Sequence, residues 1–100
     1  MDAIRLSPRD NIAVLVRGVA AGTTLQVDGL VLRLPAAVDL GHKVALVPIR
    51  RGETILKYGA AIGSATADIL PGEHVHLHNM RSDYLPTYTL EDGRLFGDRR

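Results

Sequence analysis

The chain has 100 residues, 46% of them hydrophobic, with one Phe, three Tyr and no Trp, so it suits one domain with an aliphatic core. Twelve Lys and Arg against eleven Asp and Glu leave a net charge of +1 with no basic stripe, which argues against nucleic acid as a partner. The absence of cysteine excludes a disulfide scaffold and Cys-ligated zinc and fits a reducing, cytoplasmic setting. No run approaches the roughly 20 apolar residues of a membrane span, and the N-terminus lacks a signal-peptide pattern, so a soluble, unprocessed chain is expected.

Ser7-Pro-Arg-Asp-Asn11 is a turn-forming cluster that leads into the apolar run Ile12-Ala-Val-Leu-Val16, whose β-branched content predicts a buried strand. Thr24–Val27 and Leu30–Leu34 flank Asp28-Gly29, a pair that accepts the positive φ angles of a type I′ turn and predicts a hairpin. After Pro35, Ala36–Leu40 is expected to form a single helical turn closed by Gly41. Val44–Val47 and Thr54–Tyr58 read as strands joined through Pro48–Glu53, and a further strand covers Ile62–Ile69, interrupted at Gly63. Three similar turn-to-strand junctions, at Gly22, Gly52 and Gly72, are too irregularly spaced for a solenoid. Short strands at this density predict a mainly β, barrel-like or clip-like domain over residues 1–79. Residues 80–100 read as a tail or connector, with Tyr84, Leu85, Tyr88, Leu90, Leu95 and Phe96 available for packing.

Three of the four histidines fall in Glu73-His-Val-His-Leu-His-Asn79. On an extended strand His74, His76 and His78 would share one face, adjacent members about 7 Å apart, close enough for two to converge on one ion. Imidazole suits Zn, Fe, Ni and Cu. A solvated face is the alternative, and histidines titrating near about 6.5 can also bind hydroxyls or carboxylates. Asn79 can contact a polyol or satisfy a turn. Gly41-His42-Lys43 places a basic side chain beside a glycine and can approach an anion, as can Lys57 of Lys57-Tyr-Gly59, although a solvated loop and an exposed strand lysine are the more usual outcomes of such patterns. Asp68, between Ala67 and Ile69, can accept a backbone hydrogen bond or orient a ligating histidine. Phosphate-loop, dinucleotide, serine-hydrolase and His-Glu-x-x-His patterns are all missing.

Taken in order, Asp10-Asn-Ile-Ala-Val14, Gly41-His-Lys-Val-Ala-Leu46, Lys57-Tyr-Gly59 with Ile62-Gly63, Ala65-Thr-Ala-Asp-Ile69 and Gly72-Glu-His-Val-His-Leu-His-Asn79 resemble the SAF domain of the altronate and galactarate dehydratase family. The galactarate members share the Gly-His-Lys region but depart at the histidine row, and the row also resembles the small subunit of sulfolactate sulfo-lyases. The resemblance implies a β-clip fold with short helical turns, and a divalent metal, Fe(II) or Mn(II). It implies a free-standing small subunit whose site is shared with a large catalytic dehydratase subunit. All these reactions remove a group β to a carboxylate, so negative charge must be stabilised as the α-proton leaves. Carried onto this chain, the pattern assigns His74, His76 and His78 to metal, and His76 and His78 to catalysis. It assigns His42, Lys43, Lys57 and Asn79 to the sugar-acid substrate. A sulfo-lyase subunit and a non-catalytic sugar-acid-binding module are the alternative readings, and self-association is left open.

Overall fold

The computed structural model describes residues 2–82, together with the backbone of two strands, 88–91 and 94–97. The described chain is all strand and turn. In order it contains β1 (Ala3–Ile4), β2 (Ile12–Leu15), β3 (Thr24–Val27), β4 (Leu30–Arg33), β5 (Lys43–Ala45), β6 (Thr54–Lys57), β7 (Ala60–Ala65), β8 (His74–Val75), β9 (Met80–Arg81), β10 (Tyr88–Glu91) and β11 (Arg94–Gly97). An antiparallel sheet runs β1-β2-β5-β8, β3 pairs with β4, and β7 lies between β6 and β9. The mainly β expectation is met. No helix occurs among the described residues, and so none that could cross a membrane.

The expected helical turn at Ala36–Leu40 is instead an extended crossing. Val19 and Val38 exchange both backbone hydrogen bonds at 2.9 Å, an arrangement a helical turn would forbid. Ile49 and Ile69 make the same crossing 30 residues on, at 2.9 and 2.7 Å.

That correspondence extends through the domain. The amides of Gly22 and Gly52 donate to Leu34 and Ala65, at 2.7 and 2.8 Å, and those of Gly41 and Gly72 donate to Leu15 and Ala45, both at 2.8 Å. All four glycines have φ between 83° and 89°, which a side chain would strain. The hairpin at Asp28-Gly29, with φ of 49° and 80°, has its counterpart at Tyr58-Gly59, with φ of 59° and 72°. The junctions thus number four rather than three. They belong to two tandem copies of one motif, the first running from β2 into β5 and the second from β5 into β8.

Each copy builds its own core on one face of the shared sheet, because side chains alternate along a strand. Ala13, Leu15 and Val44 pack with Leu25, Val27 and Leu32 of the first hairpin. Ile12, Ala45 and Val75 point the other way, toward Ile55, Ala65, Ile69 and Met80. Burying each large aliphatic side chain stabilises the fold by about 1.5–3 kcal/mol, and Ile12, Val44, Ile55 and Val75 are fully buried. Met80, just past the expected domain end at 79, belongs to the second core through the β7–β9 pairing. Gly63 permits that pairing: a Cβ there would stand 2.2 Å from the Arg81 carbonyl oxygen. Within the expected tail, β10 pairs with β11 in register from Tyr88↔Gly97 to Glu91↔Arg94. The packing expected of the tail's apolar side chains lies outside the described residues.

Candidate functional site

The expected histidine row bends. Strand β8 ends at Val75, and Asn79 folds the next residues into a turn: its Nδ2 donates to the His74 carbonyl at 2.8 Å, its Oδ1 accepts the His76 amide at 3.0 Å, and its own amide donates to the His76 carbonyl at 3.0 Å. The Asn79 carbonyl accepts the Thr66 amide at 2.9 Å, tying the turn to the second hairpin. Asn79 is buried, and its amide shapes the histidine segment.

The third imidazole that the turn brings to His74 and His76 is that of His42, the residue that leads into the neighbouring strand β5. The register Val44↔His74 sets β5 against β8, so His42 and His74 emerge near each other on the face carrying the first core. His42 Nδ1 and His74 Nε2 lie 2.9 Å apart, a hydrogen bond in which one ring donates and the other accepts. His74 and His76 stack, with ring planes 6° apart and centroids 5.5 Å apart. One ring nitrogen from each of His42, His74 and His76 falls within 4.8 Å of the others. His78 stands beside this trio, its centroid 5.5 Å from that of His74.

Three imidazole nitrogens about 2.0–2.1 Å from a zinc-sized ion lie roughly 3.4 Å apart in tetrahedral geometry. The observed spacing therefore needs a small adjustment of side-chain torsions rather than of backbone. The donor set is all nitrogen, which suits borderline transition metals. Burial, reinforced by the like charges of His42, His78, His76 and Lys43, holds the His74 imidazole below its ordinary pKa. Its neutral form, the one that ligates a metal, is thereby favoured.

Beside the cluster, Pro35, Ala36, Ala67, Asp68, Glu73, His74, His78 and Asn79 line a cleft of about 460 Å³, within the size range of small-molecule sites. Its two carboxylates also serve the backbone: Asp68 accepts the Arg51 amide at 2.9 Å and Glu73 the Leu70 amide at 2.8 Å. The first of the two readings of Asp68 is the one observed.

Lys43 and Lys57 are placed elsewhere. Lys43 is in register with Val14 and Val75, on the face that carries the second core, opposite to the face of His74. Burial first, and then the charge of Lys57, lower the Lys43 pKa. Lys43 therefore lies within reach of the Lys57 charge, while His42 joins the imidazoles.

In the sequence Asp10 and Asn11 stand out as turn formers and as part of the family pattern, with no contact expected of either. Asp10 is 1% exposed, and its carboxylate accepts the amides of Tyr58 and Gly59 at 2.9 and 2.7 Å. That pair of bonds holds Tyr58 in a left-handed conformation unusual for a bulky residue. Asn11 receives the Leu56 amide at 2.9 Å and donates to the Thr54 carbonyl at 2.9 Å, stapling the second hairpin to β2.

Residues 1–83 match the altronate/galactarate dehydratase SAF domain. Over 83 residues the chain is 43% identical to altronate dehydratase of Escherichia coli K12, an alignment covering 83% of this chain and 17% of that protein. It is 35% identical over 80 residues to altronate dehydratase of Bacillus subtilis 168, covering 80% and 16%. Against (2R)-sulfolactate sulfo-lyase subunit alpha of Chromohalobacter salexigens it is 37% identical over 75 residues, covering 69% of this chain and 80% of the relative. The chain thus corresponds to under a fifth of the altronate dehydratases but to most of a sulfo-lyase subunit. With the family match spanning the two tandem motifs, both cores and the histidine cluster, the chain belongs to the altronate/galactarate dehydratase SAF domain family.

Proposed function

We propose that this chain is the small, non-autonomous part of a cytoplasmic sugar-acid hydro-lyase, supplying imidazoles to an active site completed by a larger catalytic chain. The observation that carries the reading is the convergence of His42, just before β5, with His74 and His76, at and just after β8, at the edge of a cleft of sugar-acid size. Nothing in the fold requires three imidazoles there, since the second core on the other face of the sheet closes with aliphatic residues.

In this reading His42, His74 and His76 hold a divalent ion, Fe(II) or Mn(II). A bound ion would supply positive charge to offset the carbanion-like charge that develops beside the substrate carboxylate. His78, which lines the cleft with His74, contacts the sugar acid in this reading and exchanges a proton with it. Asn79 positions the segment. Lys43 and Lys57, on the opposite face, raise the positive potential that draws an anionic substrate to the domain.

A second reading, the alpha subunit of a sulfolactate sulfo-lyase, is favoured by one observation: the alignment covers 80% of such a subunit. One experiment addresses both. The chain is co-expressed with its large lyase chain, metal-loaded, and assayed with altronate and with sulfolactate. The expected result is turnover of one of them that requires this chain and is lost in His42→Ala. Equal turnover without the chain refutes the reading.

A further inference from the structure

Among the described residues two other than glycine have a left-handed backbone, Asp28 and Tyr58, and Tyr58 is the bulky one. Holding a residue with a Cβ in that region costs free energy that the surroundings must supply. Here the buried Asp10 carboxylate supplies it, through the amides of Tyr58 and Gly59. The ring gives little back to the fold, being 71% exposed and part of neither core. The first motif shows that the turn needs no aromatic residue. Its counterpart is Asp28-Gly29, a pair that enters the left-handed region readily. The second motif therefore keeps a side chain that its turn disfavours and displays it to solvent. Strain retained for a group that the fold does not use points to a contact surface, where tyrosine offers a broad apolar ring and a hydroxyl with few torsions to freeze.

The surroundings of the ring are cationic. Lys57 precedes Tyr58 at the end of β6 and, by alternation, shares a strand face with Ile55 of the second core. Lys43 stands on the second-core face of β5, in register with Val14. Both lysines are half-buried, so their stems lie along the domain. The Lys57 charge helps to lower the Lys43 pKa, in keeping with two ammonium groups that rim one core. The ion pairs of the described residues join Arg5 to Asp28 and Arg17 to Asp2, and neither lysine takes part in one. Cations left without a counter-charge complement an acidic surface. Lys43 directly follows His42, and its charge contributes to the lowered pKa of His74, so the patch borders the imidazole cluster.

We propose that Tyr58, Lys57 and Lys43 form a docking patch for an acidic surface segment of the larger lyase chain, with the Tyr58 ring as its anchor. The inference rests on the reading that such a chain completes the site, and adds where it is held. The positive potential that draws an anionic substrate draws this partner surface as well. Seated there, the partner covers the Tyr58 ring, sets carboxylates against the two ammonium groups and reaches the imidazoles past the start of β5.

The test is calorimetric titration of the full 100-residue chain with the separately purified large lyase chain, beside a thermal melt of each variant. Tyr58→Asn gives the turn an Asn-Gly pair, so the melting midpoint should stay level or rise. Its affinity for the large chain should nevertheless fall roughly tenfold or more, as for an interface anchor. Lys57→Gln should weaken association several-fold, by a factor that shrinks as salt is raised. Val31→Thr, at an exposed apolar position of the first hairpin, should change neither affinity nor its salt dependence. Unchanged affinity in Tyr58→Asn, or a lowered midpoint that shows the ring to serve the fold, would overturn the patch and leave the larger reading standing. Saturable binding of inorganic phosphate that is abolished by Lys57→Gln would assign the lysines to a small anion and overturn it as well. No association of the parent chain with the large chain would remove the reading and the proposal together.

Discussion

Gly72→Ala tests how the two motifs are locked together. A Cβ at Gly72 would stand 2.3 Å from the Arg33 carbonyl oxygen and 3.0 Å from its carbon, both backbone atoms of the first motif. That oxygen is more than about 1 Å inside the optimal separation of about 3.5 Å, and it cannot rotate away as a side-chain tip would. Overpacking of this kind costs about 1–3 kcal/mol, added to about 1–2 kcal/mol for a left-handed residue that now carries a Cβ. The matching Gly41→Ala separates the two effects, because Gly41 has nearly the same φ, 84° against 89°, with no atom within 4 Å of the added carbon. Gly72→Ala should therefore be less stable than Gly41→Ala by about 1–3 kcal/mol. In thermal melts that is a midpoint at least about 4 °C lower for a chain of this size, confirmed by urea titration. Because Gly72 precedes Glu73 and His74, its variant should also disturb the imidazole resonances. Equal destabilisation by the two substitutions would refute the close-approach argument.

Asp10→Ala should destabilise the domain by about 2–4 kcal/mol, since it removes the charged acceptor of two amide bonds worth about 1.5–3 kcal/mol each, part of which water recovers at the turn; denaturant unfolding reads this, and a loss below about 0.5 kcal/mol contradicts the role given to the buried carboxylate. In the metal-free chain the His74 imidazole should titrate below the ordinary histidine value in a proton-resonance pH series. Because its folded pKa is lowered, the stability linked to it is fully present above the unfolded value of about 6.5 and is lost as pH falls through the folded value. Acidification should therefore weaken the domain less in His74→Asn than in the parent chain. Lys57→Gln should raise the Lys43 pKa by removing a neighbouring positive charge, measured from the side-chain resonances; an unchanged value would mean the two lysines do not sense each other.

The strands were largely legible because their signals are local. Asp28-Gly29 announced its own hairpin, and the aliphatic runs at Ile12 and Thr54 marked strands within a residue or two of those observed. The second hairpin was hidden, since Tyr58 is not a residue that favours a left-handed turn. Its conformation is imposed by Asp10, 48 residues earlier. The tandem motif was half visible: three of its four junctions rhyme in sequence, and the fourth, at Gly41, was read as a helix end. Including Gly41 would have matched Gly41-His-Lys to Gly72-Glu-His and set β5 beside β8, bringing His42 to the other imidazoles. The histidine segment itself was recognised, but its shape depends on Asn79 and on pairing with a distant strand, and neither is encoded in the alternation of the row. Strand β9 escaped notice because two residues carry no periodicity, and it is Gly63, opposite, that makes room for it.

Cobalt(II) titration of the isolated chain, followed by its visible absorption, tests most directly whether His42, His74 and His76 act as one site. One equivalent should bind with a spectrum of nitrogen ligation, and binding should be lost in His42→Ala as fully as in His74→Ala, while His78→Ala retains it. Undiminished binding in His42→Ala, with loss in His78→Ala, would contradict the cluster and return the site to the linear row of His74, His76 and His78.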